Sequence, residues 1–545
     1  MRSVQVFREY KFLLLVLLCL LFPDANAQSK TFHNPILPGF YPDPSICRVG
    51  EDYYLINSSF EFYPGIPIFH SKDLVHWEQI GHVLDRPSQL ELDSIRPSGG
   101  VYAPTIRYHD GMFYVINTLV GKGGNFIVTA KNPAGPWSEP YWIKDAPGID
   151  PSLFFDDDGK AYYTGNVRPE SVPKDSKFRN IWLQEIDLTA MKLTGERTTI
   201  LEEGALHGAN NAESPHVYKY KGWYYLMIAE GGTGENHAVT IFKSKNLRGP
   251  YEGNRKNPIL THRMLGNDYP IQCTGHADLV ETQKGEWWMV LLATRPYGGF
   301  HYNLGRETFL AKVEWESGWP VVNPGYGKVL EETAVPDLPE FRAAVVSIID
   351  DFNSDKLGYQ WNFLRTPRAN FYSLTERPGF MRLKLMPESI TKWENPSFVG
   401  RRQQHINFMA YAAIDFEPKN ESESAGIVLL QNNDYQFRVE KLLSGGKPVI
   451  RLTRREKGIE TILAENPLSS KTFYIIVGAK GQDYGFSYST DDKNWTILKE
   501  KEDGRILSRT LAGGFIGAYI GMYASSNGVP SSNVADFDWF EYKGL

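Results

Sequence analysis

The chain has 545 residues and a formal net charge of −6, with 58 Lys and Arg spread among 64 Asp and Glu, and this balance argues against nucleic acid as a partner. Three cysteines are too few for a disulfide framework, and their spacing matches no zinc signature. Frequent turn residues (49 Gly and 34 Pro), 13% aromatic residues and the lack of a long helical periodicity predict a chain that is nearly all β.

The N-terminal segment is typical of a secretory signal. Three basic residues precede an apolar run from Phe12 to Phe22, and Ala25-Asn26-Ala27 supplies a small-x-small cleavage site. The run is too short to cross a bilayer as a helix, and no later stretch is long enough to do so. We therefore expect residues 1–27 to be removed, and the mature protein from Gln28 onward to be periplasmic or extracellular, without membrane insertion.

A repeat organises residues 28–335. It begins with Tyr41-Pro42-Asp43-Pro44-Ser45-Ile46, and related segments recur four times, each with an aromatic pair ten to twelve residues after its key position. The key positions are occupied by Asp43, Ala103, Asp150, Glu213 and His276. Each unit contains short strands joined by polar turns and has the length of one four-stranded blade with loops, so the five units predict a five-bladed β-propeller.

Equivalent positions on the innermost strands of a propeller face its central channel. The repeat therefore predicts that Asp43, Asp150, Glu213 and His276 meet there, although each comes from a different blade. The alternative is that the repeated acids only cap repeated turns. Three carboxylates beside apolar strands need polar partners if they are buried, and a shared polar pocket supplies such partners.

Carboxylates that meet in a channel surrounded by aromatic residues suit hydrolysis of a glycosidic bond. That reaction needs one protonated acid for the leaving oxygen and one ionised base or nucleophile. A third carboxylate near the acid would keep the proton on it at neutral pH through like-charge repulsion. No Gly-x-Ser-x-Gly elbow, P-loop or Gly-x-Gly-x-x-Gly segment occurs, so serine hydrolase and nucleotide-binding functions are disfavoured.

The two cysteines that remain after removal of the signal, Cys47 and Cys273, each lie within four residues of a key position. One bond between them is an alternative to two separate buried thiols, and the separate thiols are favoured. The repeat ends at a boundary from Glu331 to Phe341 that contains two prolines. Beyond it, many short alternating strands over residues 345–545 predict a jelly-roll-like β-sandwich.

Within this second domain we expect the segment Asp350-Asp351-Phe352, near its start, to lie beside or pair with the closing strand from Ala535 to Tyr542. The first and last strands of a domain would then be neighbours in one sheet.

The residues resemble a known family. Three motifs carry the likeness: NPILPGFYPDPS from Asn34 to Ser45, FEFYPG from Phe60 to Gly65, and HSKDL from His70 to Leu74. They are similar to glycoside hydrolase family 43, in its two-domain β-xylosidase and α-L-arabinofuranosidase branch, and the likeness covers nearly the whole mature chain. The resemblance implies a five-bladed propeller followed by a β-sandwich, and hydrolysis with inversion.

The resemblance also implies roles for individual residues. Asp43 would be the general base, Glu213 the general acid, and Asp150 the carboxylate that tunes and orients Glu213. Four further residues match substrate contacts of relatives: Phe60, Tyr102, His276 and Arg306. Tyr102 departs from the family pattern, since relatives often have tryptophan there, and this leaves the preferred sugar open.

Alternatives remain for three of these contacts. His276 either touches the sugar, or helps to hold a central ion or water, or is a hydrogen-bonded core histidine. Arg306 either donates to two sugar hydroxyls or forms a salt bridge to Asp150 or Glu307, and both can hold together. Phe60 either walls the pocket of the terminal sugar or simply packs in the core.

In this branch the sandwich extends a loop over the channel mouth, which restricts the enzyme to chain ends. The stretch from Gly517 to Tyr523 is the candidate loop, with a core strand as the alternative. We expect an exo-acting glycosidase that releases terminal α-L-arabinofuranosyl, or β-D-xylosyl, residues from hemicellulose oligosaccharides such as arabinoxylan or xyloglucan fragments. The rival from another class is a non-catalytic glycan-binding propeller. No cofactor is expected to be required, while a structural calcium ion and the oligomeric state stay open.

Overall fold

The computed structural model describes residues 30–206 and 211–545. The predicted signal segment and its cleavage site lie outside the described residues. None of the helices found within the described ranges is long and apolar enough to cross a membrane. Helical structure there amounts to one 3-10 turn, Gly504–Leu507, and one short α-helix, Arg509–Ala512.

Five antiparallel sheets follow one another in the N-terminal domain, and each has the strand order of a propeller blade. The strands of blade one are Ser45–Val49, Asp52–Ile56, Gly65–Ser71 and Glu78–Leu84. Blade two consists of Gly100–Val101, Thr105–His109, Met112–Val120, Gly124–Ala130 and Tyr141–Trp142. Blade three consists of Ser152–Phe155, Ala161–Val167, Asn180–Asp187 and Lys192–Leu201. Blade four consists of Glu213–Tyr220, Trp223–Glu230, Ala238–Ser244 and Glu252–Gly253. Blade five consists of Gln272–Glu281, Trp287–Thr294, Glu307–Glu316 and Trp319–Val322.

Apolar side chains fill the space between neighbouring blades all the way round the ring. Ile116 of blade two packs with Leu153 of blade three, and an equivalent cluster lies between blades three and four. Further clusters lie between blades four and five and between blades one and two, while Leu55 of blade one packs with Trp288 of blade five. The contact between the first and last blades closes the ring, so the predicted five-bladed propeller is confirmed.

The two ends of the propeller domain are tied together by a short sheet. Thr31–His33 pairs with Glu332–Ala334, with Thr31 opposite Ala334. The Asn34 side chain donates hydrogen bonds to the carbonyl oxygens of Leu310 and Leu330 at 2.9 and 3.0 Å. These bonds fix the segment that leads into the first key position, Asp43.

The C-terminal domain is a sandwich of two eight-stranded sheets. One sheet consists of Ile349–Asp350, Tyr372–Ser373, Met381–Lys384, Val534–Gly544, Asn407–Asp415, Thr472–Lys480, Asp483–Ser489 and Trp495–Asp503. The other consists of Ile459–Pro467, Lys447–Glu456, Tyr435–Ser444, Ser424–Asn432, Tyr519–Ser525, Ser397–Arg402, Asn362–Leu364 and Phe62–Tyr63. Asp350 lies opposite Phe540, so the predicted pairing of the first and last strands of this domain is confirmed.

One strand of the sandwich comes from the propeller. Phe62 and Tyr63 lie opposite Leu364 and Phe363, so a segment of the first propeller repeat forms the edge strand of a sandwich sheet. Phe62 also stacks on Tyr519 with ring centroids 3.8 Å apart. The two domains therefore share a sheet and a core, and the interface lies directly behind Phe60.

The cysteines of the described chain are both buried and unbonded. Cys47 and Cys273 are free thiols, in agreement with the favoured alternative. Burial raises the pKa of the Cys47 thiol to about 12, so it is neutral at physiological pH. Neither residue supplies a cross-link between blades.

Candidate active site

A cavity of about 440 Å³ opens at the centre of the propeller, within the size range of small-molecule sites. Every site residue expected from the sequence lines it: Asp43, Phe60, Tyr102, Asp150, Glu213, His276 and Arg306. The cavity wall also contains Phe515 from the sandwich, so both domains contribute to one pocket. The prediction that acids from different blades meet therefore agrees with the geometry.

The key residues occupy matching places at the start of the innermost strands. Asp43 and Asp150 each lie two residues before a first strand, and Glu213 begins the first strand of blade four. His276 lies at an irregularity in the first strand of blade five, between Gly275 and Ala277. Asp43, Asp150 and His276 have φ values of 52°, 52° and 43°, a left-handed conformation that L-residues rarely adopt and that concentrates at functional sites.

Asp43 is held as an ionised carboxylate. It is 3% exposed, accepts a hydrogen bond from the Ser58 hydroxyl at 2.6 Å, and is bonded by Nη1 of Arg306. Burial alone would raise the pKa of Asp43, but the positive charge of Arg306, the nearby His276 ring and the hydrogen bond from Ser58 together lower it below its ordinary value. A buried carboxylate that keeps its charge is suited to accept a proton.

The partner of Arg306 differs from the one expected. The sequence interpretation offered a salt bridge to Asp150 or Glu307, whereas the guanidinium bonds Asp43. Glu307 instead forms an ion pair with Arg295, whose guanidinium donates to both carboxylate oxygens at 2.8 Å each. The reason is that Arg306 lies at the end of a turn facing the channel, while the next residue along the strand faces the opposite way.

Glu213 and Asp150 have raised pKa values, in contrast to the lowered pKa of Asp43. Removal from water and the negative charge of Asp43 raise the pKa of Glu213 to about 7, although Arg306 and Arg179 act against this shift. Burial and the charges of Glu213 and Asp43 raise the pKa of Asp150 well above its ordinary value. Burial and like-charge repulsion together therefore keep at least one proton on this pair near neutral pH, while Asp43 stays ionised.

His276 links the acid pocket to a polar network along the channel. Its Nδ1 lies 3.8 Å from Asp43, and its Nε2 is hydrogen-bonded to the Ser214 hydroxyl at 3.0 Å. Burial lowers the pKa of His276, so the ring is neutral, and it lines the pocket as well as belonging to the core network. The alternative of a hydrogen-bonded core histidine therefore describes its bond to Ser214, while contact of His276 with the sugar, or with a central ion or water, stays a prediction.

An ion pair lies deeper in the channel. Arg107 donates to both oxygens of Asp278 at 2.8 and 3.2 Å and to Nδ1 of His216 at 2.9 Å. Asp278 also accepts hydrogen bonds from the hydroxyls of Ser45 and Tyr218 at 2.7 and 2.6 Å. Innermost strands of blades one, two, four and five meet in this network, and Asp278 at its centre is fully buried.

Among the described residues, no group of three or more His, Cys, Asp or Glu side chains is arranged to hold a metal ion. In the channel, the cationic charge beside Asp278 and His216 is supplied by the Arg107 guanidinium. The donor set thus does not fit a calcium ion at this point.

Three aromatic rings form one wall of the pocket. The ring centroid of Phe60 lies 5.1 Å from that of Tyr102 and 6.0 Å from that of Phe515. The guanidinium of Arg306 lies 5.5 Å from the Phe60 ring and 5.8 Å from the Phe515 ring. Pentose rings stack on such faces, and the rings exclude water from the charged groups beside them.

The lid residue differs from the expected one. The stretch from Gly517 to Tyr523 was the candidate loop, but Tyr519–Ser525 is a fully buried strand of the sandwich, so the alternative of a core strand is correct. The residue that reaches the pocket is Phe515, two positions before that stretch. The sequence does contain a feature that points to Phe515, because this aromatic residue directly follows two glycines, Gly513 and Gly514. Both glycines have positive φ in the structure.

Several polar residues of the pocket were not expected from the sequence: Asn166, Lys177, Arg179, Asn211 and Thr233. None occupies a key position of the repeat, and they lie on loops and strand ends of blades three and four. Sequence periodicity reports the strands and not the loops between them, so no signal identified these residues.

Two family models match the chain: "Glycosyl hydrolases family 43" over residues 32–320 and "Beta xylosidase C-terminal Concanavalin A-like domain" over residues 349–543. The chain is 48% identical over 514 residues to "Xylosidase/arabinosidase" of Butyrivibrio fibrisolvens, covering 93% of this chain and 98% of the relative. It is 42% identical over 542 residues to "Non-reducing end alpha-L-arabinofuranosidase BoGH43B" of Bacteroides ovatus, covering 98% of both.

Solved structures show the same two-domain arrangement. The structure titled "Bacteroides ovatus Xyloglucan PUL GH43B" matches with a TM-score of 0.89 at 42% identity, covering 95% of this chain and 100% of that one. A xylan beta-1,4-xylosidase from Bacillus halodurans C-125 matches with a TM-score of 0.88 at 36% identity, covering 94% of this chain and 100% of that one.

Proposed function

Because the chain belongs to glycosyl hydrolase family 43 and is a glycosidase, we propose that it removes terminal α-L-arabinofuranosyl, or β-D-xylosyl, residues from hemicellulose oligosaccharides by single displacement with inversion. The observation that carries the proposal is the placement of Asp43, Asp150 and Glu213 in one cavity with opposite pKa shifts. An acid and a base must be held in different protonation states at one pH for this reaction.

In the proposed reaction Asp43 is the general base. Its carboxylate takes a proton from a water molecule as the water oxygen attacks the anomeric carbon. Glu213 is the general acid and gives its proton to the glycosidic oxygen, which leaves with the bonding electron pair. Asp150 is the carboxylate that we assign to tuning and orienting Glu213, and burial and the negative charge of Glu213 in turn raise the pKa of Asp150.

The size of the pocket and its position between the two domains support exo action. Phe515 of the sandwich and Phe60 and Tyr102 of the propeller form one wall of a cavity of about 440 Å³, a volume suited to one terminal sugar. Arg306 lies beside these rings with its Nη1 on Asp43 and its Nη2 3.4 Å from the Phe515 carbonyl oxygen. A polysaccharide chain cannot pass through such a pocket, so only a chain end is able to enter.

Arabinofuranose is the favoured sugar, by a small margin. A relative whose name states α-L-arabinofuranosidase activity aligns over 98% of both chains, while another combines xylosidase and arabinosidase in its name. Arabinoxylan or xyloglucan fragments are the proposed natural substrates, the latter because one similar structure is titled as part of a xyloglucan locus. Tyr102, at the aromatic wall, is the residue we associate with this choice.

The test compares free pentose release from aryl α-L-arabinofuranoside and aryl β-D-xyloside by the full-length protein. We expect turnover of the arabinoside to equal or exceed that of the xyloside, with the inverted anomer as the first product in an NMR time course. Glu213→Gln should abolish hydrolysis of natural linkages and leave the fold unchanged. Binding of oligosaccharides without release of any pentose would favour the non-catalytic glycan-binding propeller instead.

We further propose that the protein acts in the periplasm or outside the cell, as the N-terminal segment indicates, and needs no cofactor. Dialysis against a chelator should then leave the rate unchanged, and loss of activity that calcium restores would contradict this part of the proposal. Fractionation of cells that express the full chain would locate the mature protein.

A further inference from the structure

Ser98, in the turn that precedes the first strand of blade two, connects two residues of the pocket wall. Its backbone oxygen accepts a hydrogen bond from the Tyr102 hydroxyl at 3.1 Å, and its hydroxyl accepts one from the backbone N–H of Phe515 at 2.8 Å. The approach of the sandwich is close at this point, since a Cβ on Gly514 would lie 2.3 Å from the Ser98 hydroxyl oxygen. One buried serine thus contacts the aromatic residues of both domains.

Glu61 fixes Ser98 from behind the pocket. Its carboxylate accepts a hydrogen bond from the Ser98 backbone N–H at 3.0 Å and is 1% exposed. Glu61 lies between Phe60, which walls the pocket, and Phe62, which belongs to the shared sandwich sheet. Its own carbonyl oxygen accepts from the Arg365 backbone N–H at 2.8 Å, which ties it to the sandwich.

A buried carboxylate at a domain interface is costly, and a neutral side chain would pack there at lower cost. Glu61 does not face the cavity, so it has no part in the acid–base chemistry proposed above. Its hydrogen bond is instead directed at Ser98, which is hydrogen-bonded to both Tyr102 and Phe515. Burial raises the pKa of Glu61 to about 7, which reflects the cost of keeping this acceptor in place.

We propose that Glu61 and Ser98 are positioning residues for the sugar pocket: Glu61 fixes the backbone of Ser98, and Ser98 holds Tyr102 and Phe515 at their places on the wall. This inference rests on the proposed function, because it concerns the pocket that binds the terminal sugar. The wall contacts the sugar in the bound state and in the transition state alike. Its displacement therefore weakens both equally, which raises KM and leaves kcat unchanged.

The experiment compares Ser98→Ala with Ser94→Ala in the full-length protein. The two serines have nearly the same backbone conformation, with φ values of 59° and 58°, so alanine causes the same backbone strain at both. Ser94 is exposed, and its hydroxyl makes no hydrogen bond to any residue in the described part of the chain. It therefore serves as the matched control.

We expect Ser98→Ala to raise KM for an aryl pentoside, and the inhibition constant of the free pentose, by about two- to tenfold, the worth of one lost hydrogen bond. Its kcat should stay within about twofold of wild type, and Ser94→Ala should match wild type in both constants. Glu61→Ala should raise KM in the same way. Glu61→Gln should keep the KM of the wild type, because the amide oxygen still accepts the hydrogen bond from the Ser98 backbone N–H.

A Ser98→Ala protein with the KM of the Ser94→Ala control would overturn the inference. So would a fall in kcat at constant KM, since that result means fewer folded molecules and hence a purely structural role. If Glu61→Ala does not fold, the comparison of Ser98→Ala with Ser94→Ala, together with the KM of Glu61→Gln, tests the inference. A wild-type protein without pentosidase activity would refute the proposed function, whereas an active wild type with an unaffected Ser98→Ala variant refutes only the positioning role.

Discussion

The raised pKa of Glu213 has a direct kinetic consequence above neutral pH. Its value of about 7 means that Glu213 is mostly protonated at pH 6 and loses the proton as the pH rises. Asp43 has a lowered pKa and stays ionised throughout this range, so the base does not limit the rate. The acid alone should therefore set the alkaline limb of kcat/KM.

The size of the effect follows from the protonated fraction. With a pKa of about 7, about one tenth of Glu213 carries its proton at pH 8 and about one hundredth at pH 9. For a phenyl arabinofuranoside, whose leaving group needs protonation, kcat/KM should fall about tenfold per pH unit above 7. For a dinitrophenyl arabinofuranoside, whose leaving group needs no proton, it should stay nearly constant.

The assay measures kcat/KM for both substrates between pH 6 and pH 9, with Glu213→Gln as the control. The variant should hydrolyse only the dinitrophenyl substrate and should show no alkaline limb. An equal decline for both substrates in the wild type would assign the limb to another group. No decline for the phenyl substrate below pH 9 would mean that Glu213 is not the general acid.

Three further outcomes are expected. Asp43→Asn should lose activity on phenyl and dinitrophenyl substrates alike, because water activation is required for both, and a retained rate on either would reassign the base. Arg107→Met should lower the free energy of unfolding by about 3–5 kcal/mol in a urea titration, because Asp278 loses its buried partner, and adding Asp278→Asn should recover part of the loss. Glu61 has a raised pKa, so its stabilising effect is complete below pH 4.5 and lost as the pH rises through 7. Wild type should therefore lose about 3 kcal/mol of unfolding free energy relative to Glu61→Gln between pH 4 and pH 8.

The repeat in the sequence predicts the propeller and its acids for one physical reason. A residue at or just before the start of an innermost strand faces the channel, so the spacing of the repeat identifies Asp43, Asp150 and Glu213. The same reasoning finds His276, although a strand irregularity occurs beside it. The positive φ of Asp43, Asp150 and His276 was not evident from the sequence, because neither aspartate nor histidine requires a left-handed backbone.

Periodicity does not report how two domains dock. The partner of Arg306, the exchange of Phe62–Tyr63 into the sandwich and the identity of the lid all depend on contacts between segments far apart in the chain. The sequence near Tyr519 is compatible with a strand, and the structure has one there. That Phe515 reaches the cavity, and its neighbours do not, depends on how the two domains pack.

The division of the pocket between domains separates two properties of the site. The carboxylates belong to strand starts that the propeller ring fixes, so their mutual arrangement depends on blade packing alone. The wall around the sugar depends on Ser98, Phe515 and the shared sheet, and hence on the docking of the sandwich. Loop changes at this interface can therefore alter which terminal sugar is bound without moving the acid and the base, and this agrees with the two activities named among relatives of one fold.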